Sequence, residues 1–321
     1  MMGAMHEKPA TRVSVIVVNY NGADIIGACL ASIRAYVDAV DEIVVVDNAS
    51  TDASVAAIRS SAPDATLLLS NSNLGFSGGN NLGVCASTGE FVLLLNSDAR
   101  LTGPLEPAID VLRSDPMIGV VGARLIFEDG QPQPSVGREH SPLRLLASWI
   151  PGLASSACAQ RLLSVESAIY RAPLRDVDFV TGAFLFTRRA LWDELGGLDE
   201  GMFMYLEDVD FCRRVRGARW RVVYSNRVTA IHLEGAGRPW VGTRALCDTA
   251  NSTWRLLEKH QGWRVARATT AALALIFALR SGAHWVIGIL RRSAVDKDKA
   301  RGYLRASGVL LCRPMDRKAW A

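Results

Sequence analysis

Two aspartates follow short apolar runs in the N-terminal third of the chain. Residues 91–95 are all apolar and lead into Asn96, Ser97 and Asp98, while the apolar run 43–46 leads into Asp47. Unbroken apolar runs are typical of strands that are covered on both faces, as in a parallel sheet. Ligands bind beyond the carboxyl ends of such strands, so both acids are candidate ligand-binding residues. Taken alone, the Asn-Ser-Asp triplet is also typical of a turn.

A glycine-rich stretch at residues 73–81 follows a third apolar run. It lacks the ending of a Walker loop and does not match the dinucleotide-binding glycine pattern. Its glycines would let the backbone approach a ligand closely, and a helix N-terminus after it would favour a diphosphate. A flexible turn before a helix is the alternative. The stretch includes Asn73, Gly75, Gly78, Gly79 and Asn80.

A second group of acids, Glu207, Asp208 and Asp210, follows the apolar and aromatic segment 202–206. In the first turn of a helix these carboxylates would be stabilised by the helix dipole, which gives them a capping role. An apolar surrounding can also raise the pKa of a carboxylate and make it a useful general base. Both interpretations remain open for Glu207 and Asp208.

His232 lies between a strand-like segment and a glycine-containing stretch. A lone histidine is usually structural. Together with Asp98 it would provide oxygen and nitrogen ligands for Mg²⁺ or Mn²⁺, and imidazole suits Mn²⁺ better.

Apolar runs alternate with helix-like segments of about ten to fifteen residues through the first 123 residues. This alternation predicts βαβ units and an α/β fold with a doubly wound, mainly parallel sheet. Residues 128–178 contain five prolines and read as an insertion. We expect a loop-rich, mobile cover near the site there.

Composition limits the function classes further. The six cysteines of the 321-residue chain form no C-x-x-C pair, which argues against a zinc or disulfide scaffold. The polar N-terminus lacks the apolar core of a signal peptide, so we expect a cytoplasmic protein. The net charge of +4 is uneven, with 14 basic and 4 acidic residues after residue 254 and 22 basic and 28 acidic before it.

The basic C-terminal region contains two apolar segments, 268–279 and 284–290. Neither is long enough to span a bilayer, and a joined span would bury Arg280 and His284. We expect one or two interfacial helices on an anionic membrane surface, and no nucleic-acid partner. The alternative is a helical hairpin packed on the catalytic domain or on a dimer partner. The flanking basic residues are Arg264, Arg267, Arg291, Arg292, Lys297 and Lys299.

As an ordered set, these motifs resemble a family 2 glycosyltransferase with the GT-A fold, in particular the rhamnosyltransferase-like branch. The resemblance covers about residues 12–240. We expect a disordered N-terminus at 1–11, a GT-A domain at 12–253 and a basic helical region at 254–321. Its motifs are residues 15–22, 45–52, 73–80, 94–98 and 207–210.

The resemblance also implies roles for single residues. Asp47 would contact a pyrimidine base, and Asp98, the last member of the D-x-D element, would coordinate Mg²⁺ or Mn²⁺ with His232. Asp208 would be the general base, beside Glu207. Asn96 replaces the first acid of the D-x-D element, so we expect weaker metal binding. The nucleotide-sugar would further be lined by Asn19, Tyr20, Asn21, Asn48, Asn73, Gly75, Gly79, Asn80, Asn96 and Ser97.

The function that the resemblance implies is inverting transfer of L-rhamnose from dTDP-L-rhamnose to a glycan acceptor. We expect the acceptor to be linked to a polyprenyl diphosphate and the enzyme to be peripheral on the inner face of the cytoplasmic membrane. A UDP-galactofuranose or UDP-N-acetylglucosamine donor would use the same residues. A nucleotidyltransferase would need a basic first loop, which residues 19–22 lack. A non-catalytic membrane-binding module is the third class, and homo-oligomerisation is left open.

Overall fold

The computed structural model describes residues 13–36, 42–150, 170, 172–233 and 242–312. The N-terminus expected to be disordered, residues 1–11, lies outside these ranges. The same holds for residues 151–169 of the expected insertion and for the chain after residue 312.

Twelve strands are present in the described residues. They are β1 Val13–Asn19, β2 Glu42–Asp47, β3 Thr66–Leu69, β4 Phe91–Leu95, β5 Ala99–Leu101, β6 Ile118–Ile126, β7 Pro132–Gln133, β8 Val136–Gly137, β9 Leu174–Asp176, β10 Phe179–Val180, β11 Phe184–Arg188 and β12 Arg221–His232.

Ten α-helices connect or flank these strands in the same part of the chain. They are α1 Ile26–Tyr36, α2 Ser54–Ser61, α3 Gly75–Cys85, α4 Glu106–Ser114, α5 Pro142–Trp149, α6 Arg189–Leu195, α7 Glu207–Gly217, α8 Thr243–Gln261, α9 Trp263–Leu290 and α10 Ala294–Leu311.

The main sheet has the strand order β3-β2-β1-β4-β11-β6-β12-β5. Strands β3, β2, β1 and β4 are mutually parallel, as the βαβ pattern predicts. Strand β11 enters antiparallel between β4 and β6, and β12 then runs parallel to β6. The sheet is therefore mixed but mainly parallel, and the carboxyl ends of β1, β2 and β4 share one edge.

Both faces of the sheet are covered, which explains the unbroken apolar runs. On β4, Leu93 packs with Val15 and the residues of α1 on one face, while Leu94 packs with Ile16 on the other. All five residues of β4 are buried. The prediction of a doubly covered strand at residues 91–95 is confirmed.

The described part of the 128–178 segment extends the main sheet. Strand β7 pairs with β6, and β9 pairs with β12, so the two ends of the segment are tied to neighbouring strands. The expected domain boundary at 253/254 falls inside α8. Helix α8 thus belongs in part to both predicted regions.

The two apolar C-terminal segments form one helix. Helix α9 has 28 residues, which corresponds to a length of about 42 Å, and is long and apolar enough to cross a membrane by length and composition. Its buried residues, among them Leu273 and Phe277, pack in a cluster with residues of α8 and α10. One face of α9 therefore packs against neighbouring helices of the same chain, as the hairpin alternative predicts.

Candidate active site

Asn19 and Asp47 lie side by side where β1 and β2 end, because the parallel register pairs them directly. The Asn19 amide Nδ2 donates to Asp47 Oδ1 at 3.3 Å and to Ser50 Oγ at 3.3 Å. The Ser50 backbone N–H donates to Asp47 Oδ2 at 3.0 Å. Both side chains are buried, and the Asn19 carbonyl oxygen Oδ1 has no hydrogen-bond partner within the described chain.

The loops after these strands contain strained residues. Asn21 has a φ of 50° and the alanine at position 49 a φ of 62°. Non-glycine residues in this left-handed region are uncommon and cluster at functional sites. Asn21 Oδ1 accepts the Thr51 N–H at 2.8 Å, which joins the two loops, while Tyr20 is exposed beside them. Tyr20 is thus open to a ligand at the end of β1.

Asn48 holds the start of the glycine-rich stretch against the β2 loop. Its amide Nδ2 donates to Asn73 Oδ1 at 3.1 Å and to the Gly75 carbonyl at 3.0 Å. Its Oδ1 accepts the Leu74 N–H at 2.8 Å. Asn48 is buried, so it positions the loop at residues 73–75.

The predicted loop at residues 73–81 is wrong in extent, since α3 begins at Gly75. Gly75 has a φ of +74°, and a Cβ there would overlap the Phe203 carbonyl, which accepts the Phe76 N–H at 2.7 Å. Gly79 packs against Val18, and Asn80 Nδ2 bonds the Phe76 carbonyl at 2.9 Å. These positions serve helix packing, and a ligand contact through Gly79 or Asn80 stays a prediction.

Asp98 and His232 are brought together by strand register. His232 is the last residue of β12 and pairs with the residue after Asp98, on β5. The His232 Nε2 atom lies 3.2 Å from Asp98 Oδ1 and 3.2 Å from Asn96 Nδ2. The predicted pairing of Asp98 with His232 is therefore present, with Asn96 and Ser97 partly exposed beside it.

Gln133 completes this group, and sequence reasoning missed it. Its Oε1 lies 3.0 Å from His232 Nδ1, and the side chain is buried. Gln133 thus holds the imidazole ring from its Nδ1 side, so that Nε2 faces Asp98 and Asn96. No pattern marks Gln133 in a proline-rich segment; only the pairing of β7 with β6 places it there.

Glu207 and Asp208 begin α7, as predicted, directly after two strained residues. Tyr205 and Leu206 have φ values of 73° and 67°. Each such non-glycine conformation costs about 1–3 kcal/mol and persists only where the surroundings impose it. These two consecutive left-handed residues end the segment 202–206, and α7 begins directly after them with Glu207 and Asp208.

The two acids have different surroundings. Burial raises the pKa of Glu207 well above its usual range, and the neighbouring Asp208 charge raises it further. Glu207 Oε2 is buried without a hydrogen-bond partner in the part of the chain described. Burial also raises the pKa of Asp208, although the backbone N–H groups of Gly182 and Val209 bond its two oxygens at 2.9 and 2.8 Å and oppose this rise.

One short segment links Asp208 to the end of β4. Gly182 donates to Asp208, and the carbonyl of the next residue, Ala183, accepts the Asn96 N–H at 3.2 Å. Adjacent Cα atoms are about 3.8 Å apart, so the start of α7 and the Asn96–Asp98 triplet are neighbours in space. The backbone of residues 182–183 thus connects Asp208 with the strand end that leads to Asp98.

Asp210 does not belong to this group. It is fully buried, and its carboxylate bonds Arg214 Nε at 2.8 Å, Lys259 Nζ at 3.0 Å and His260 Nε2 at 2.6 Å. Although burial opposes it, these bonds and charges lower the pKa of Asp210 far below its usual range. Asp210 therefore connects α7 to α8 and has a structural role.

Comparisons with known proteins identify relatives of this chain. The chain is 26% identical over 268 residues to N-acetylglucosaminyl-diphospho-decaprenol L-rhamnosyltransferase of Mycobacterium tuberculosis, across 78% of this chain and 85% of that protein. It is 39% identical over 83 residues to rhamnosyltransferase WbbL of Escherichia coli, across 26% of this chain and 31% of that one.

Solved glycosyltransferases share the fold. Mannosyltransferase PcManGT from Pyrobaculum calidifontis, in complex with GDP-Man and Mn²⁺, aligns with a TM-score of 0.54 at 20% identity, over 94% of this chain and 86% of that one. GalNAc-T7 with UDP, GalNAc and Mn²⁺ aligns with a TM-score of 0.57 at 15% identity, over 82% and 51% of the two chains. The predicted GT-A fold is confirmed.

The family assignment follows from the extent of the match. The model described as "Glycosyl transferase family 2" matches residues 14–196, which contain the first three loops and the Asn96–Asp98 triplet. This range is more than half of the 321 residues. The chain belongs to glycosyl transferase family 2 and is a glycosyltransferase.

Proposed function

We propose that this chain transfers L-rhamnose from dTDP-L-rhamnose to a hydroxyl group of a polyprenyl-diphosphate-linked glycan, with inversion at the anomeric carbon. The observation that carries the proposal is the approach of His232 Nε2 to Asp98 Oδ1, at 3.2 Å, beside a strand end that residues 182–183 connect to Asp208. The rhamnosyltransferases among its relatives support the choice of sugar, and the decaprenol-linked one supports the choice of acceptor.

The nucleotide half of the site rests on Asn19 and Asp47. Each carboxylate oxygen of Asp47 already accepts one bond and has a further lone pair, so it can also accept an N–H of a pyrimidine base. The unpartnered Asn19 Oδ1 can accept another donor group. Tyr20 and Asn21 would border the nucleoside.

A divalent cation, Mg²⁺ or Mn²⁺, is part of the proposal, and the residues present fit it. Asp98 would offer a carboxylate oxygen and His232 would offer Nε2, with the orientation of the ring fixed by Gln133 on the Nδ1 side. No group of three or more histidine, cysteine, aspartate or glutamate side chains suited to a metal occurs among the described residues. Donor phosphate oxygens and water would complete the coordination. When bound, the cation would neutralise the charge on the leaving diphosphate.

Asp208 would act as the general base. The two backbone N–H groups that bond its oxygens fix the direction of the carboxylate. Its raised pKa makes it a stronger base than an exposed aspartate, and it would take the proton of the acceptor hydroxyl as the oxygen attacks the anomeric carbon. A single displacement of this kind inverts the configuration at that carbon.

The acceptor also sets where the enzyme works. A sugar on a polyprenyl diphosphate is reached only at a bilayer surface, so we propose that the chain acts at the inner face of the cytoplasmic membrane. The basic region after residue 254 supports this, since positive charge attracts anionic lipids.

A thermal-shift panel of dTDP-rhamnose, UDP-galactofuranose and UDP-N-acetylglucosamine, each with and without Mn²⁺, tests the donor. Stabilisation by dTDP-rhamnose and not by the UDP-sugars is expected. Stabilisation by a UDP-sugar alone would show that the donor is a UDP-sugar. An unchanged melting temperature with every nucleotide-sugar would refute the proposed reaction.

Asp98→Ala tests the metal. This variant should lose metal-dependent transfer while keeping the wild-type melting temperature, because Asp98 is partly exposed. Glu194→Ala, at an exposed position on α6, serves as the control and should keep activity. Full metal-dependent activity in Asp98→Ala would place the metal elsewhere.

A further inference from the structure

Helix α9 presents an apolar stripe to solvent along most of its length. The side chains of Leu275, Leu279, Val286 and Ile289 are 62%, 67%, 54% and 55% exposed. Their spacing of four, seven and three residues places them on one face of the helix. Every exposed residue between Arg267 and Arg291 is apolar or glycine. We call this stripe, residues 268–290 on the exposed side, the α9 apolar face.

Arg280 and His284, in the middle of α9, point away from this face and toward the rest of the protein. Arg280 donates to the Trp149 carbonyl at 3.1 Å and to the Tyr303 hydroxyl at 2.7 Å. His284 Nδ1 lies 3.1 Å from Asp296 Oδ1. Because both side chains are used on the protein side, they leave the exposed side free of charge.

Basic and aromatic residues stand at the two ends of this face. Arg264 and Arg267 are exposed at its start, and Arg291 and Arg292 are exposed directly after it. Trp263 is 57% exposed at the first position of the helix. Tryptophan beside basic residues is typical of the boundary between headgroups and acyl chains.

We infer that the α9 apolar face lies in the surface of an anionic lipid bilayer, with the helix parallel to the membrane plane. The complementary charge of the four arginines selects anionic lipid as the occupant. A spanning orientation does not fit, because α9 is packed against α10, whose exposed Arg301 and Arg305 would have to enter hydrocarbon.

This inference deepens the proposed membrane-linked acceptor by naming the surface that docks. It concerns lipid binding alone, which is measured without donor or acceptor. A failure of the proposed function and a failure of this inference are therefore distinguishable.

Cosedimentation of the full chain with vesicles tests the inference. We expect binding to phosphatidylcholine vesicles that contain phosphatidylglycerol, and weaker binding to phosphatidylcholine alone. The double variant Leu275→Glu/Leu279→Glu should bind at least about tenfold more weakly, because burial of one leucine side chain corresponds to roughly that factor. Both positions are exposed, so the melting temperature should be unchanged.

Two further variants separate apolar insertion from charge. Met117→Glu, at a 46% exposed position before β6, is the matched control and should bind vesicles like the wild type. In Arg291→Glu/Arg292→Glu, affinity for the anionic vesicles should fall about fivefold for each arginine removed. Binding to neutral vesicles should change little.

Absence of wild-type binding to anionic vesicles would overturn the inference, and so would equal binding by the double leucine variant. A wild-type dimer that ignores vesicles and dissociates in the double leucine variant would also overturn it. That result would instead make the α9 apolar face an interface between copies of the chain.

Discussion

The nucleotide half of the site, at the ends of β1 and β2, differs from the catalytic half, which consists of Asp98, His232 and the start of α7. The difference lies in how their polar side chains are hydrogen-bonded. In the nucleotide half, Asp47 and Asn48 bond neighbouring loops through both of their side-chain polar atoms. In the catalytic half, Glu207 Oε2 has no partner in the described chain, and His232 Nε2 lies between Asp98 and the Asn96 amide. One buried oxygen in each half, Asn19 Oδ1 and Glu207 Oε2, has no partner in the described residues, and in the catalytic half burial also raises the pKa of the carboxyl groups of Glu207 and Asp208.

The two unpartnered oxygens are costly for the folded state. A buried polar group without a partner costs about 1–3 kcal/mol, so a protein retains one only where its surroundings enforce it. The strained Tyr205 and Leu206 and the covered sheet supply that enforcement here. Substitutions in the nucleotide half should therefore reduce stability first, and substitutions in the catalytic half should reduce chemistry or metal binding first.

The largest effect is expected for Asp208→Asn. Loss of the general base should lower the turnover number about 10²–10⁴-fold, with the thermal shift by the nucleotide-sugar retained. In the wild type the rate should rise with pH through a pKa above the usual aspartate value, because burial raises the pKa of Asp208. Asp210→Asn, on the same helix, should instead lower the melting temperature. A catalytically normal Asp208→Asn variant would assign the base elsewhere.

Gln133→Leu should weaken Mn²⁺ binding by about 10–100-fold, the usual cost of losing the partner of a ligating histidine. Titration of the full chain with Mn²⁺, followed by the electron paramagnetic resonance of the free ion, measures this without turnover. Gln133→Glu keeps an acceptor oxygen opposite His232 Nδ1 and should rescue binding. Equal affinity in wild type and Gln133→Leu would show that His232 needs no positioning.

Asn48→Ala should lower the free energy of unfolding by about 1–3 kcal/mol, because it leaves the Leu74 N–H and the Gly75 carbonyl without their partner. Chemical denaturation measures the change. Asn71→Ala, an exposed position in the same loop, should be close to neutral. A stable Asn48→Ala variant with impaired nucleotide binding would give Asn48 a direct ligand role and would weaken the contrast between the two halves.

The smallest effect is expected for Glu207→Gln and depends on pH. Because burial raises the folded-state pKa of Glu207, its contribution to stability is full below the ordinary glutamate pKa and is lost as pH rises toward the folded-state value. Glutamine does not titrate, so the stability of the variant relative to the wild type should increase with pH across this interval. Melting temperatures of both proteins, with Glu194→Gln as the control, between roughly pH 5 and pH 8 measure this. A constant difference across that range would contradict it.

Much of the sheet was predictable because its signal is local. Residues 91–95 form a strand within the expected bounds, and Glu207 and Asp208 begin a helix as expected. The helix start at Gly75 was missed, since a segment with three glycines has low helix propensity. Packing of Gly79 against Val18 and of the segment at Phe203 against Gly75 outweighs that propensity.

The sequence by itself determined where strands and acids follow one another along the chain, because the spacing of apolar residues and the positions of turn residues are local signals. It placed Asp47, Asp98 and the Glu207–Asp208 pair at element ends and marked the C-terminal region as basic and apolar. Only the tertiary structure decided that His232 meets Asp98, that Gln133 orients the ring, and that Arg280 turns inward from the α9 apolar face. Those contacts join residues from 23 to 134 positions apart along the chain, and strand register or helix packing, not local pattern, brings them together.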